Sequence, residues 1–150
     1  MNIKKLEPID IGNCANDFLE SFNSPPWCGN WSQTSANEYV ADIYSHPKFI
    51  GFVLYEREKN IAYALCYNKC LWGQTEGYET CLELFFVKAV YQNKGYGKFL
   101  LKHMENYALA HNSKSIKFIT RTDTDAYHFY GKNDYELSSK VVYMGKQLSS

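Results

Sequence analysis

Apolar and polar positions change their period along the chain, and the changes mark out the elements. Residues 1–8 read as a first strand, with Ile3 and Leu6 apolar. Over 13–22, Cys14, Phe18, Leu19 and Phe22 fall on one helical face. Ser24-Pro25-Pro26-Trp27 ends that helix, because paired prolines cannot continue one. A loop follows over 27–33. Ser35 then opens a second helix, with Glu38 completing a capping box, Tyr39, Val40, Ile43 and Tyr44 on the buried face, and Pro47 past its end. Runs at 49–56 and 60–67, joined by Arg57-Glu58-Lys59, predict an antiparallel hairpin. A polar connection spans 68–80. The mostly apolar run 81–87 predicts a central strand, broken by one charge at Glu83. The stripe Phe99, Leu100, Leu101, Met104, Tyr107, Ala108 predicts a helix over 95–111. A strand at 115–120, a short helix at 125–132, an Asn133-Asp134 turn and strands at 135–137 and 141–146 complete the pattern. The sum is a mixed α+β domain of about seven strands and about four helices.

Composition narrows the function classes. The chain has 150 residues, which predicts one domain over 1–150 with enough core to need no disulfide or metal. Sixteen basic and sixteen acidic side chains cancel, so the basic stripe of a nucleic-acid binder is missing and no nucleic-acid partner is expected. No apolar run approaches the ~20 residues of a membrane helix, and the first residues hold no apolar signal core. A cytoplasmic protein without a membrane partner is the expectation. Five cysteines, an odd count, point to reduced thiols. Cys66 and Cys70 have no second cluster or His partner beside them, so no metal site is expected. Aromatic residues reach 17%, with 13 Tyr, a supply of rigid walls with polar tips.

The chemistry concentrates where the 81–87 strand runs through a glycine-bearing loop into a helix. The first turn of a helix carries amides without internal acceptors and the positive end of the helix dipole. That is a recipe for holding phosphate. Gly95 and Gly97 let the backbone lie against an anion, and Lys94 and Lys98 add positive charge. A P-loop is excluded because no Gly-Lys-Ser/Thr closes the run, and a Rossmann fingerprint is excluded because its third glycine is missing.

Gln92-Asn93-Lys94-Gly95-Tyr96-Gly97 resembles the Q/R-x-x-G-x-G/A signature of the GCN5-related N-acetyltransferases. Ala126-Tyr127-His128-Phe129-Tyr130, followed by Tyr135, resembles that family's A-x-x-F-Y segment. The two stand in the family's order and separation, and the start at Pro25-Pro26-Trp27 is similar to bacterial members of aminoglycoside type. The resemblance implies the GNAT fold: three α/β/α layers around a mixed, mostly antiparallel sheet that splays at its central strand. It implies acetyl-CoA as cosubstrate, direct transfer to an amine in a ternary complex, and no covalent enzyme intermediate. The pantetheine arm would lie along Phe85, Phe86 and Val87. The pyrophosphate would lie on Gln92, Asn93, Lys94, Gly95, Tyr96, Gly97 and Lys98, with Asp123 and Phe129 also at the cofactor. Asp123 departs from the family's usual Asn and can accept but not donate a bond. Asp134 replaces the usual glycine before the last aromatic.

The same resemblance makes Tyr130 the acid that protonates the leaving thiolate, since a phenol is protonated at neutral pH. Glu83 is the candidate base: burial of this lone charge in an apolar strand would raise its pKa toward neutrality, and the alternative is that it points outward or pairs with a lysine. Trp27, Trp31, Trp72, Tyr78 and Glu79 are the expected acceptor-side residues, aromatic walls for a cation with Glu76 and Glu79 suited to a polyamine or aminoglycoside. The expected acceptor is a small-molecule amine. A protein N-terminus or lysine is the alternative. A CoA-binding sensor without turnover is a third reading, against which the presence of both Glu83 and Tyr130 argues. A homodimer stays open.

Overall fold

The computed structural model describes residues 1–149, which divide into two compact units, Met1–Ile119 and a second beginning at Thr120. In the first unit the elements run β1 (Asn2–Lys5), α1 (Ile11–Asn23), α2 (Gln33–Tyr44), β2 (Phe49–Glu56), β3 (Lys59–Cys70), β4 (Tyr78–Val87), α3 (Tyr96–Ala110) and β5 (Ser113–Lys117). The second unit holds one helix, α4 (Asp125–Lys132). The sheet order is β1-β2-β3-β4-β5, antiparallel except for the parallel pair β4–β5.

Alternation of side chains builds three layers in the first unit. Val53, Tyr63, Leu65, Leu84 and Phe86 pack with Cys14, Phe18, Ala36 and Val40 of α1 and α2. On the other face the Phe52 ring meets His103 and Tyr107 of α3, and Cys66 touches Met104. The expected mixed α/β architecture is therefore present.

Local chemistry moves several boundaries. Ser32, not Ser35, caps α2: its hydroxyl accepts the Ser35 amide, and Ser35 Oγ accepts the Ser32 amide, both at 3.0 Å. Two hydroxyls make this box, so Glu38 is not needed for it. The hairpin turn is two residues, Arg57 and Glu58, both left-handed with φ of 48° and 64°, and Lys59 already pairs with Glu56. β3 runs on to Cys70 and β4 starts at Tyr78, which shortens the expected connection.

The sheet has five strands rather than about seven. Among the described residues none of 133–149 forms a strand, and Val141, Val142, Tyr143 and Met144 are exposed. A run of β-branched and aromatic residues becomes a strand only with a neighbour to pair with, since strand propensity largely reflects packing. Among the described residues no helix is long and apolar enough to cross a membrane.

Candidate functional site

Two irregularities in β4 shape the first unit's site. The first is a bulge. Leu65 stands opposite Leu84, but Cys66 stands opposite Leu82, so Glu83 is an extra residue on β4. Glu83 is exposed, the outward-pointing one of the two arrangements open to it, and not the buried one. A residue outside the ladder's alternation is not bound to the core face that its apolar neighbours fill. Its carboxylate lies near two phenols. Burial first, then Cys81 and Glu83 beside it, push the Tyr67 phenol up to about 12. Burial and the Glu83 charge also raise Tyr39. The Tyr67 ring is backed by His46, with centroids 4.2 Å apart.

The second irregularity is a divergence. β4 and β5 pair from Tyr78↔Ser113 to Cys81↔Lys117, and the pairing stops there. The paired end is stitched firmly. Buried Thr80 bonds to Ser113 and to Asn68, each at 2.7 Å, and Lys117 reaches Glu79 at 2.9 Å. Beyond Cys81, β4 continues to Val87 while β5 has ended. The Lys88 amide donates to Ile61 on β3 at 3.0 Å. By antiparallel alternation, Phe86 directs its main chain toward β3, and Phe85 and Val87 direct theirs toward the opening on the β5 side. The expected splay at this strand is present.

Past Val87 the chain makes a 3₁₀ turn at Ala89–Tyr91 and enters α3. Gln92 Nε2 donates back to the Val87 carbonyl at 2.9 Å, closing the loop on the strand end. Asn93 (φ 61°) and Gly95 (φ 87°) are left-handed, and Gly95 is the N-cap of α3. The first bond of the helix runs from the Phe99 amide to the Gly95 carbonyl at 3.1 Å. The amides of Tyr96, Gly97 and Lys98 therefore precede any intrahelical acceptor. A Cβ on Gly95 would meet nothing within 4 Å, so its backbone conformation, not crowding, calls for glycine. Lys94 folds its ammonium back to the Val90 carbonyl at 3.3 Å. Tyr96 sends its hydroxyl to Glu56 at 3.2 Å, away from the helix start.

These features fit the group that the sequence implies. An opening flanked by main-chain groups suits an amide-bearing arm, and a helix start with a left-handed glycine suits the phosphates that end it. Among the described residues no three His, Cys, Asp or Glu side chains come together to hold a metal.

The acceptor-side expectations divide. Trp27 packs on Phe22, which packs edge-on against Phe86 of β4, so this tryptophan is linked to the site's strand. Trp31 is a packing residue: its ring meets Phe18 and Tyr39, and Asn23 clamps its main chain with bonds of 2.8 and 2.9 Å. Glu79 is engaged in the β4–β5 ion pair, and it holds the Lys117 ammonium above its ordinary range. Tyr78 lies under the Lys48 ammonium, 5.1 Å from its ring centre. Trp72 stands in the β3–β4 connection with 91% of its surface exposed. Tyr39 and Tyr67, beside Glu83, are not among the residues that the sequence points to for the site.

In the second unit, Thr124 caps α4 and accepts the Tyr127 amide at 3.4 Å. Tyr130 is buried within α4, 5.8 Å from the Tyr135 ring and 5.4 Å from Phe129. Its carbonyl takes the amides of Asn133 and Tyr135. Asp134 adopts a left-handed φ of 68°, so the turn expected there forms without glycine. Asp123 is gripped by Arg121 through two bonds of 3.0 and 2.8 Å, which hold its carboxyl below the usual range.

The profile of the acetyltransferase (GNAT) family matches residues 15–135. No curated protein matches the sequence. Among solved structures, the fold is similar to an aminoglycoside acetyltransferase, meta-AAC0020, from an uncultured soil metagenomic sample, in complex with sisomicin (TM-score 0.76, 15% identity, 99% of this chain and 96% of that one). It is similar to the aminoglycoside antibiotic 6'-N-acetyltransferase AAC(6')-IG from Acinetobacter haemolyticus (TM-score 0.70, 18% identity, 99% and 100%). A GNAT family acetyltransferase from Staphylococcus aureus subsp. aureus USA300_TCH1516 gives a TM-score of 0.72 at 17% identity, over 98% of each chain. At these identities the likeness is one of fold.

Proposed function

The chain belongs to the GNAT acetyltransferase family, and from that premise we propose that it moves an acetyl group from acetyl-CoA to a primary amine of a small molecule. The observation that carries this reading is the opening between β4 and β5 beside the glycine-capped start of α3. The family match spans parts of both compact units, which supports reading the chain as one acetyltransferase domain.

Bound acetyl-CoA supplies an activated thioester carbonyl. The main-chain groups of Phe85 and Val87 would hold its arm, and the amides of Tyr96, Gly97 and Lys98 would take its pyrophosphate. Asn93 and Lys94 in the first unit, and Asp123 and Phe129 in the second, are proposed as cofactor residues on the family resemblance of the segments that carry them. The Val87 amide, a donor fixed before reaction, would face the negative charge that builds on the carbonyl oxygen. The amine reacts in its neutral form, so a proton must leave it. Glu83, exposed at the bulge, takes that proton directly or through water. Tyr130 returns a proton to the departing thiolate.

The acceptor is a small amine. Support comes from the aminoglycoside enzymes of like fold and from the carboxylate of Glu83 set beside the aromatic rings of Tyr39 and Tyr67. A thiol-release screen with acetyl-CoA across polyamines, aminoglycosides, amino acids and peptides tests the reading. Turnover with one of the small amines is expected. Turnover on peptides alone would replace the small molecule by a protein acceptor, and binding of acetyl-CoA with no turnover on any class would point to a sensor.

A further inference from the structure

The two residues that flank Val87 are both tied to one carboxylate of helix α1. On one side, Lys88 Nζ lies 3.2 Å from Asp17 Oδ1. On the other, Phe86 stacks on Tyr63, with centroids 5.2 Å apart and planes at 26°, and the Tyr63 hydroxyl donates to Asp17 Oδ2 at 2.6 Å. Asn60 Nδ2 donates to the same hydroxyl at 3.1 Å. Tyr63 is fully buried, and Asp17 keeps only 14% of its side-chain surface exposed. The main chain of Lys88 is pinned as well: its amide reaches Ile61 at 3.0 Å, and its carbonyl takes the Tyr91 amide at 2.8 Å.

A half-buried charge pair of this kind adds little net stability, because desolvation offsets most of the attraction. What it fixes is position. The pair holds the end of β4 against α1 at the point where the strand has left β5.

We propose that Asp17 is a positioning residue for the cofactor: through Lys88 and Tyr63 it sets where the Val87 main chain stands at the edge of the opening. The proposal rests on the reading of that opening as the acetyl-CoA site. Asp17 does not touch the phosphate-binding amides of Tyr96, Gly97 and Lys98. Its loss should therefore weaken contacts to the pantetheine arm and spare contacts to the nucleotide end.

Titration calorimetry with two probes separates these ends. Acetyl-CoA carries the arm; adenosine 3′,5′-bisphosphate does not. Wild type, Asp17→Asn, Lys88→Met, Lys88→Arg and the Asp17→Asn/Lys88→Met double variant are compared, each with a melting curve. Displacement of the arm's contacts is expected to weaken acetyl-CoA about tenfold in Asp17→Asn and Lys88→Met, within the range that small misplacements cause. Affinity for the bisphosphate should stay within about twofold, and Lys88→Arg should restore acetyl-CoA binding. The double variant should bind no more weakly than the weaker single one, since both changes break the same Asp17–Lys88 pair. Should Asp17→Asn not fold, Lys88→Met carries the test, because that side chain is partly exposed. Wild-type acetyl-CoA affinity in a folded Lys88→Met overturns the proposal, as does equal weakening of both probes. A wild-type protein that binds neither probe overturns the cofactor reading itself.

Discussion

Tyr67 stands opposite Cys81 across the β3–β4 ladder, two residues before the bulge at Glu83. Burial, Cys81 and Glu83 together raise its phenol to about 12, against about 10 in an unfolded chain. The folded state therefore keeps a proton that the unfolded state loses first. Stability from this group is complete below about pH 10 and is lost as pH climbs through about 12. Tyr39, Tyr63 and Tyr96 are raised too, so wild type weakens in the same window. Tyr67→Phe removes one contributor. Urea midpoints at pH 9 and pH 11 should lie closer together in Tyr67→Phe than in wild type. An unchanged gap would show that Tyr67 does not titrate differently in the two states.

Glu83 has the exposure that a proton acceptor in contact with solvent needs. Glu83→Gln keeps the shape and removes the acceptor. Turnover should fall by about 10²–10⁴-fold, the usual range for a lost general base, with acetyl-CoA affinity unchanged. Wild-type turnover across pH would assign the proton to another group.

Much of this fold could be read from the chain, because its periodic segments are long. The stripes Cys14-Phe18-Phe22 and Leu100-Leu101-Met104 found their helices, and Gly95 at a strand-to-helix junction found the loop. The losses have a common physical origin: they depend on partners distant in sequence. The bulge at Glu83 exists only as a mismatch between β3 and β4. Val141 to Met144 are a continuous apolar run that suits a strand, but pairing decides whether they form one. Asp17 reads as an ordinary surface acid on an amphipathic helix. Its role follows from Tyr63, 46 positions away. Trp31 and Trp72 look alike in a sequence, yet one is clamped by Asn23 and the other is exposed.

Tyr130→Phe separates chemistry from packing in α4. The ring stays and the proton donor goes. If Tyr130 protonates the thiolate, kcat should fall by about 10²–10⁴-fold with acetyl-CoA affinity kept, because the interaction strengthens only as charge builds on sulfur. A shifted melting temperature with normal kcat would give the hydroxyl a packing role instead.

The acetyl-CoA site is the centre of the account, and Gly95 tests it most directly. At φ 87° a β-branched side chain is strained, yet a Cβ there meets nothing within 4 Å, so the disturbance stays within the loop. Acetyl-CoA should be titrated calorimetrically into wild type and Gly95→Val, with far-ultraviolet circular dichroism on both. Wild type should bind, and the folded variant should lose about two decades in Kd. Equal affinity in the two proteins, or no binding by wild type, would contradict the assignment.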